Sequence, residues 1–483
     1  MTEQVATHTD RMSLPAAEPL TAYLALSERF GSDQVFLLES AGGPASDSRQ
    51  HFVGFGELLA VSVTTGKVTV TGVEALRRTV LSRITPLLEP DSDRPRLRAG
   101  YTLWDLIRTV ESTFDVPGSA DGFEFGFMAY LGYDVARYIE ELPYLIEPGP
   151  DLPDFHAVLY QGVLHTEVGS ADSTLILHRS ELWPSLNPAE LAAVLSGGTD
   201  VPDDARDVAV ELIEDDITRD HYLSIADKCL GHIAIGDIYQ VQIGHEVAMH
   251  SAADPIDVYR RLRARNASPY MYLATVADHT IIGASPELFV RVEDGEVVMR
   301  PIAGTLPRNG DDEAGAARLS GDPKEIAEHV MLVDLCRNDI GRICLPDSLD
   351  VRESMVVEKY SHVLHLVSTV VGQAAEDTDS YDIIAALFPA GTMTGAPKIR
   401  AMEIIEEVET SRRGLYAGAL GLIGFGGYLN LALCIRTLIH HEGVYRTRAS
   451  AGVVADSDPG REWAETLAKS NAAYWAVTGR ELS

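Results

Sequence analysis

Between Gly414 and Ile435 the chain carries no charged residue, a stretch long enough to raise the question of a membrane helix. It also holds six glycines and a Gly426-Gly427 turn signal, which a helix interior tolerates poorly. The stretch therefore reads as two buried strands. Similar patterns recur nearby. Leu288 to Val292 and Val297 to Ile302 alternate across Asp294-Gly295, a dipeptide that accepts positive φ and so suits a tight hairpin. Ala417 to Phe425, Leu429 to Ile439 and Val444 to Val454 read as three further strands. Upstream, strand-like Val35 to Leu38 and Val61 to Thr64 are mixed with helix-like Leu103 to Phe114. Thr218 caps a predicted helix that ends near Gly236, with Tyr222, Ala226, Cys229, Leu230 and Ile233 along one face. Antiparallel strands with helices packed outside make α+β the expected class rather than a doubly wound sheet.

The turn-rich acidic stretch from Ser196 to Asp204 marks an expected boundary, giving a polar tail over 1–18 and regions over 19–205 and 206–483. Met1 to Pro19 shows no secretory pattern, so the cytoplasm is the expected location. The four cysteines, Cys229, Cys336, Cys344 and Cys434, form no CxxC pair and read as buried free thiols. With 39 Lys plus Arg against 72 Asp plus Glu, the formal charge is −33. A chain so acidic repels nucleic acid and anionic membranes. An anionic substrate would need a local cationic pocket.

Two segments combine carboxylates with helix signals. Asp322-Pro323-Lys324-Glu325 supplies an N-cap, a first-turn proline and a capping-box glutamate, and Glu325 and Glu328 then share a helix face. After Ser457-Asp458-Pro459, Glu462 and Glu465 repeat the spacing, with Lys469 one turn beyond. Brought together, four carboxylates would repel one another and raise their pKa values unless a cation intervened. Mg²⁺, which takes few protein oxygens and retains water, is the natural companion.

Motifs follow in a specific order: Gly236 to Val241, Gly283 to Glu287, Arg300 to Thr305, Glu325 to Asp339, His362 to Ser368, Phe388 to Lys398 and Ala449 to Lys469. In these the chain resembles the chorismate-utilising enzymes, most closely the synthase subunit of anthranilate synthase. The resemblance is dense over about residues 210–475 and thinner upstream, at Leu37 to Ser40 and Gly132 to Asp134. It implies a large sandwich of antiparallel sheets around a chorismate site. Glu328 and Glu465 would ligate Mg²⁺, with Glu325 and Glu462 acting through water. Arg436, Tyr416 and Thr392 would hold the substrate's carboxylates, with the Thr305 hydroxyl and backbone groups near Gly304 and Gly452. The guanidinium of Arg436 and the charge of Lys469 suit a dianion entering an acidic protein.

The family's reaction adds a nucleophile at C2 of chorismate and expels the C4 hydroxyl, with Glu287 as the implied acid. Such an acid needs a raised pKa, which a dry site near other carboxylates supplies. Relatives that add water carry a lysine base where this chain has Gln240. Relatives that aminate C4 carry a lysine where it has Ala303. Amination at C2 remains, followed by pyruvate loss to anthranilate through His365, a residue that titrates near neutrality. His362 beside it suggests a metal pair only weakly.

The resemblance also implies ammonia from a separate glutaminase subunit, since no segment resembles an amidotransferase. It further implies a tryptophan inhibitor site at Leu38, Glu39, Ser40, Asn266, Ser268, Pro269, Tyr270 and Met271, and an oligomeric assembly. Departures occur at Asn430-Leu431, Gly244-His245, Cys336 and Ala267. These leave two alternatives: a 2-amino-2-deoxyisochorismate synthase that stops before pyruvate loss, and an inactive homologue that senses tryptophan or serves assembly.

Overall fold

The computed structural model describes residues 4–90, 95–116, 122–147, 149, 152–197, 210–308, 310–360 and 363–482. The fold is α+β, and no helix is long and apolar enough to cross a membrane. Twenty-one of the described strands form one hydrogen-bonded network, and its ladders define two halves. In one half, Gln240–Ser251 pairs with Val444–Val453, which pairs with Thr437–His441; His279–Ser285, Tyr270–Val276 and Val35–Glu39 follow. In the other, Phe155–Glu167 pairs with Gly126–Leu131, and then come Ala419–Gly424, Leu429–Leu433, Leu288–Glu293, Glu296–Met299 and Val363–Gln373. The long strand Gln50–Thr64 joins the halves by pairing with both Val35–Glu39 and Phe155–Glu167. Every ladder in this network is antiparallel.

Three apolar clusters explain the layering. Phe36, Phe52, Tyr272 and Ile281 from the first half pack with Met128, Tyr130, Leu420 and Tyr428 from the second, closing a sandwich. The outer face of the first half is covered by helices Pro19–Phe30, Pro255–Arg265 and Pro459–Thr478, and the second by Glu74–Ile84, Leu103–Glu111 and Ser380–Leu387.

The hairpin at Asp294-Gly295 forms as expected, with φ of 51° and 73°. Two expectations are corrected. Leu429 to Ile439 is not one strand: it breaks after Leu433 and resumes at Thr437, with Arg436 at φ 51° in between. The two pieces belong to different halves of the sandwich. The polar tail is partly a strand, His8–Pro15, paired along its length with Asp172–Arg179. The boundary near residue 205 lies outside the described residues. Ladders between Val35–Glu39 and Tyr270–Val276, and between Gly126–Leu131 and Ala419–Gly424, tie the two expected regions into one network.

Candidate active site

The chain crosses between the halves at two adjacent places, and each crossing carries a key side chain. Glu287 lies between His279–Ser285 and Leu288–Glu293; Arg436 lies between Leu429–Leu433 and Thr437–His441. The crossings are stitched together: the Ala284 amide donates to the Arg436 carbonyl (3.2 Å) and the Leu433 amide to the Glu287 carbonyl (3.0 Å). Glu287 is only 8% exposed, and burial pushes its carboxyl up to about 8, with Thr392, Lys469 and Arg436 offsetting part of that rise. The Thr392 side chain approaches Glu287 closely enough to favour its charged form, yet its Oγ1 makes no geometrically complete hydrogen bond. Burial lowers the Arg436 pKa, and the charge of Glu287 works against that. Buried Arg300, Arg413 and Arg448 each have carboxylate partners. Arg436, half-buried, forms no side-chain ion pair among the described residues.

Strands Ile302–Pro307 and Val363–Gln373 bring Gly304, Thr305 and His365 together. Gly304 sits at φ 62°, in the left-handed region, and the ladder shifts register there. A Cβ at Gly304 would stand 2.9 Å from Glu325 Oε2, which places that carboxylate beside the strand. The Gly304 carbonyl is 2.9 Å from His365 Nδ1 and can only accept, so Nδ1 carries the proton. Thr305 Oγ1 lies 3.2 Å from the same nitrogen. His365 Nε2 is buried without a partner among the described residues. Burial, then the Arg436 charge and, less strongly, Lys469, push the imidazole down to about 4.

From the other half, Gln240 extends its Nε2 to 3.5 Å from Glu328 Oε1. Gly452 leaves it room, because a Cβ there would meet Gln240 Nε2 at 2.8 Å. The Tyr416 hydroxyl bonds Ser450 Oγ, and Lys469 Nζ reaches the Ser450 carbonyl (3.0 Å) and Glu465 Oε1 (2.7 Å). Arg413 secures this wall by donating to the Met393 and Gln242 carbonyls, both at 2.8 Å. Thr392 lies in the adjoining turn, Gly391–Met393.

The two carboxylate helices are Pro323–Gly341 and Pro459–Thr478. Asp322 caps the first through the Lys324 amide, but the expected capping box with Glu325 is not formed. Glu465 on the second lies within electrostatic reach of Glu325 and Glu328 on the first. Burial is the main cause holding the Glu325 and Glu328 carboxyls above their ordinary range; Glu465, across from them, adds to it. Glu462 is raised by burial and by Glu465, against a hydrogen bond from Ser457. No three of these carboxylates have oxygens all within 4.8 Å of one another. The donor set nevertheless fits Mg²⁺: hard oxygens, and mutual repulsion that a divalent ion relieves.

The residues expected to bind tryptophan also come together. Leu38, Glu39, Ser40, Pro269, Tyr270 and Met271 line a cavity of about 40 Å³. Asn266 and Ser268 hydrogen-bond beside it. A cavity that takes a benzene ring measures roughly 150 Å³, so this one is small for an indole. Glu39 is already engaged by Tyr259 and by Arg263.

Sequence reasoning missed Tyr360, a buried aromatic that packs edge-on to His365 with ring centroids 5.0 Å apart. It also missed the Lys398–Asp339 ion pair at 2.8 Å, although both residues lie inside quoted motifs. Tyr360 gave no signal of its own, since a strand-end tyrosine is ordinarily core. His362 lies outside the described residues.

Residues 89–474 match the family described as chorismate binding enzyme, and the chain belongs to that family. It is 61% identical over 482 residues to 2-amino-4-deoxychorismate synthase from Streptomyces globisporus, covering 99% of this chain and 98% of that one. Anthranilate synthase component 1 from Acinetobacter calcoaceticus is 36% identical over 480 residues, covering 95% and 92%. Among solved structures, anthranilate synthase component I from Streptococcus pneumoniae TIGR4 aligns with a TM-score of 0.71 at 29% identity, covering 88% of this chain and 92% of that one. MenF, the menaquinone-specific isochorismate synthase from Escherichia coli, shares the fold (TM-score 0.70, 17% identity, 99% and 97% covered). The chain is thus a chorismate-utilising aminating enzyme of the anthranilate synthase I-like family.

Proposed function

We propose that the protein aminates chorismate at C2 with loss of the C4 hydroxyl, and releases the product with its enolpyruvyl ether intact. That product, 2-amino-4-deoxychorismate, is also named 2-amino-2-deoxyisochorismate. The observation that carries this reading is the full-length 61% identity to a 2-amino-4-deoxychorismate synthase, against 36% to the anthranilate synthase from Acinetobacter calcoaceticus. The pyruvate loss expected from the family resemblance is accordingly not part of the reading.

The site's chemistry supports it. Arg436, Tyr416 and Thr392, with Thr305 and the backbone near Gly304 and Gly452, receive the dianion. Glu287 is protonated below about pH 8 and gives its proton to the departing hydroxyl. Gln240 has no titrating group and leaves water unactivated, whereas ammonia needs no base. Lys469 adds positive charge beside Glu287. His365 is held near 4 by burial and then by the Arg436 charge, so its imidazole is neutral in the free protein at working pH. Glu328 and Glu465, with Glu325 and Glu462 through water, would hold Mg²⁺, which when bound supplies charge for the ring carboxylate. Ammonia comes from a separate glutaminase subunit in this reading. Mass analysis after incubation with chorismate, Mg²⁺ and [¹⁵N]ammonium should find one labelled nitrogen and a retained enolpyruvyl group. Labelled anthranilate as the sole product would refute the reading.

Tryptophan control has no place in the proposal, because the cavity between Leu38 and Tyr270 is too small. The larger groove beyond Glu39 and Ser40 is lined by Arg260, Arg263, His51 and Trp475, and omits Pro269, Tyr270 and Met271. Saturating tryptophan is expected to leave both rate and melting temperature unchanged; inhibition together with a raised Tm would show that the cavity opens.

A further inference from the structure

Two hairpins end side by side in the first half of the sandwich. One turns at Ala277-Asp278, between Tyr270–Val276 and His279–Ser285; the other turns at Glu442-Gly443, between Thr437–His441 and Val444–Val453. Strands His279–Ser285 and Thr437–His441 pair antiparallel with Thr280 opposite His440, so His279 stands opposite His441 one step nearer the turns. Their imidazoles stack, with centroids 4.3 Å apart and planes 19° apart. The first turn adds a carboxylate: Asp278 Oδ1 is 2.7 Å from His279 Nδ1, and Oδ2 is 3.9 Å from His441 Nδ1. One ligand-type atom from each of the three residues lies within 4.8 Å of the other two.

Two imidazoles and a carboxylate suit first-row transition ions, whereas Mg²⁺ prefers oxygen alone. With bonds of about 2.0–2.1 Å, tetrahedral zinc ligands stand roughly 3.3 Å apart, between the two separations found here. Seating an ion therefore takes side-chain shifts on the order of 1 Å. His279 is buried, while the Asp278 and His441 side chains are 67% and 36% exposed and can adjust. All three line a cavity of about 870 Å³, which leaves room for water as a further ligand. Among the described residues, Asp215, Asp216 and His245 show the same spacing, but they offer one imidazole, and its nitrogens already meet Asp215 (2.8 Å) and Thr466 (2.9 Å).

We infer that Asp278, His279 and His441 form a second metal site, selective for a zinc-like transition ion, which clips the two hairpins together. The ion replaces the long contact from His441 Nδ1 to the Asp278 carbonyl (3.3 Å). The site is separate from the carboxylate helices and from the chemistry. His279 and His441 begin and end the strands whose opposite ends lead to Glu287 and Arg436, roughly 17–20 Å away at about 3.4 Å per residue. The inference is independent of the proposed function.

Zn²⁺ titrated into the full chain in saturating Mg²⁺, followed by calorimetry and thermal melts, tests it. His441→Ala and Asp278→Asn each remove one ligand at a partly or well exposed position, so the metal-free fold should be kept. Wild type should bind Zn²⁺ with a rise in Tm. Each variant should bind it roughly 100-fold more weakly, since losing even an outer partner of a ligand costs about 10- to 100-fold, and the zinc-induced rise in Tm should vanish. Amination with Mg²⁺ and no zinc should be unchanged in both. Equal zinc affinity in wild type and either variant would overturn the inference, and so would a wild-type chain that takes up no zinc. A loss of zinc-free amination in both variants would also overturn it, by showing that these residues serve the fold or the reaction instead.

Discussion

Glu328→Gln and Glu465→Gln are each expected to lower Mg²⁺-dependent turnover by on the order of 10³-fold, and Glu328→Gln to leave the metal-free protein as stable as before or more so. The opposite signs follow from the geometry. Glu328 is held above its ordinary value of 4.5 by burial, then by Glu325 and Glu465. A carboxyl raised in the folded state favours folding only where it is protonated, so its contribution declines as pH rises past the unfolded value. At neutral pH the facing glutamates strain the metal-free fold, and replacing one by an amide relieves part of that strain. The same replacement removes an oxygen from the set that would hold Mg²⁺. Thermal melts with and without Mg²⁺ check both halves: the ion should raise the wild-type Tm and have little effect on either variant. A variant that loses stability without Mg²⁺ and still responds to the ion would contradict the assignment.

Glu287→Gln should reduce amination by roughly 10²- to 10⁴-fold, because the amide keeps the shape and removes the transferable proton. The pH dependence gives a sharper check. Burial raises the Glu287 carboxyl to about 8, so its active, protonated form persists through neutrality and is lost above that value. Expressed per free ammonia, the wild-type rate should be level below about pH 8 and fall roughly tenfold per unit above it. The residual rate of the variant should show no such break. An activity that rises through pH 8 after this correction would mean that Glu287 works as a base.

Features set by a few neighbouring residues were legible in the sequence. The Asp294-Gly295 hairpin required positive φ at two adjacent positions, and the two helices carry their caps and prolines in order. Features set by distant packing were not. Leu429 to Ile439 contains no glycine or proline to mark a turn, and its break at Arg436 arises because the strand must leave one half of the sandwich for the other. Strand His8–Pro15 has polar and partly exposed side chains, so its composition resembles a tail although its backbone is paired. The glutamate spacing placed each pair on one helix face, but only tertiary structure brings Glu465 opposite Glu325 and Glu328. The engagement of Glu39 by Tyr259 and Arg263, from a helix more than 200 residues away, is likewise a contact that local sequence does not reveal.

The central claim is that amination ends before the ether is cleaved. Counting pyruvate released per chorismate consumed, with wild-type protein, Mg²⁺ and ammonium, tests it most directly. The account predicts a ratio close to zero while chorismate disappears. Equimolar pyruvate, accompanied by anthranilate fluorescence, would contradict it.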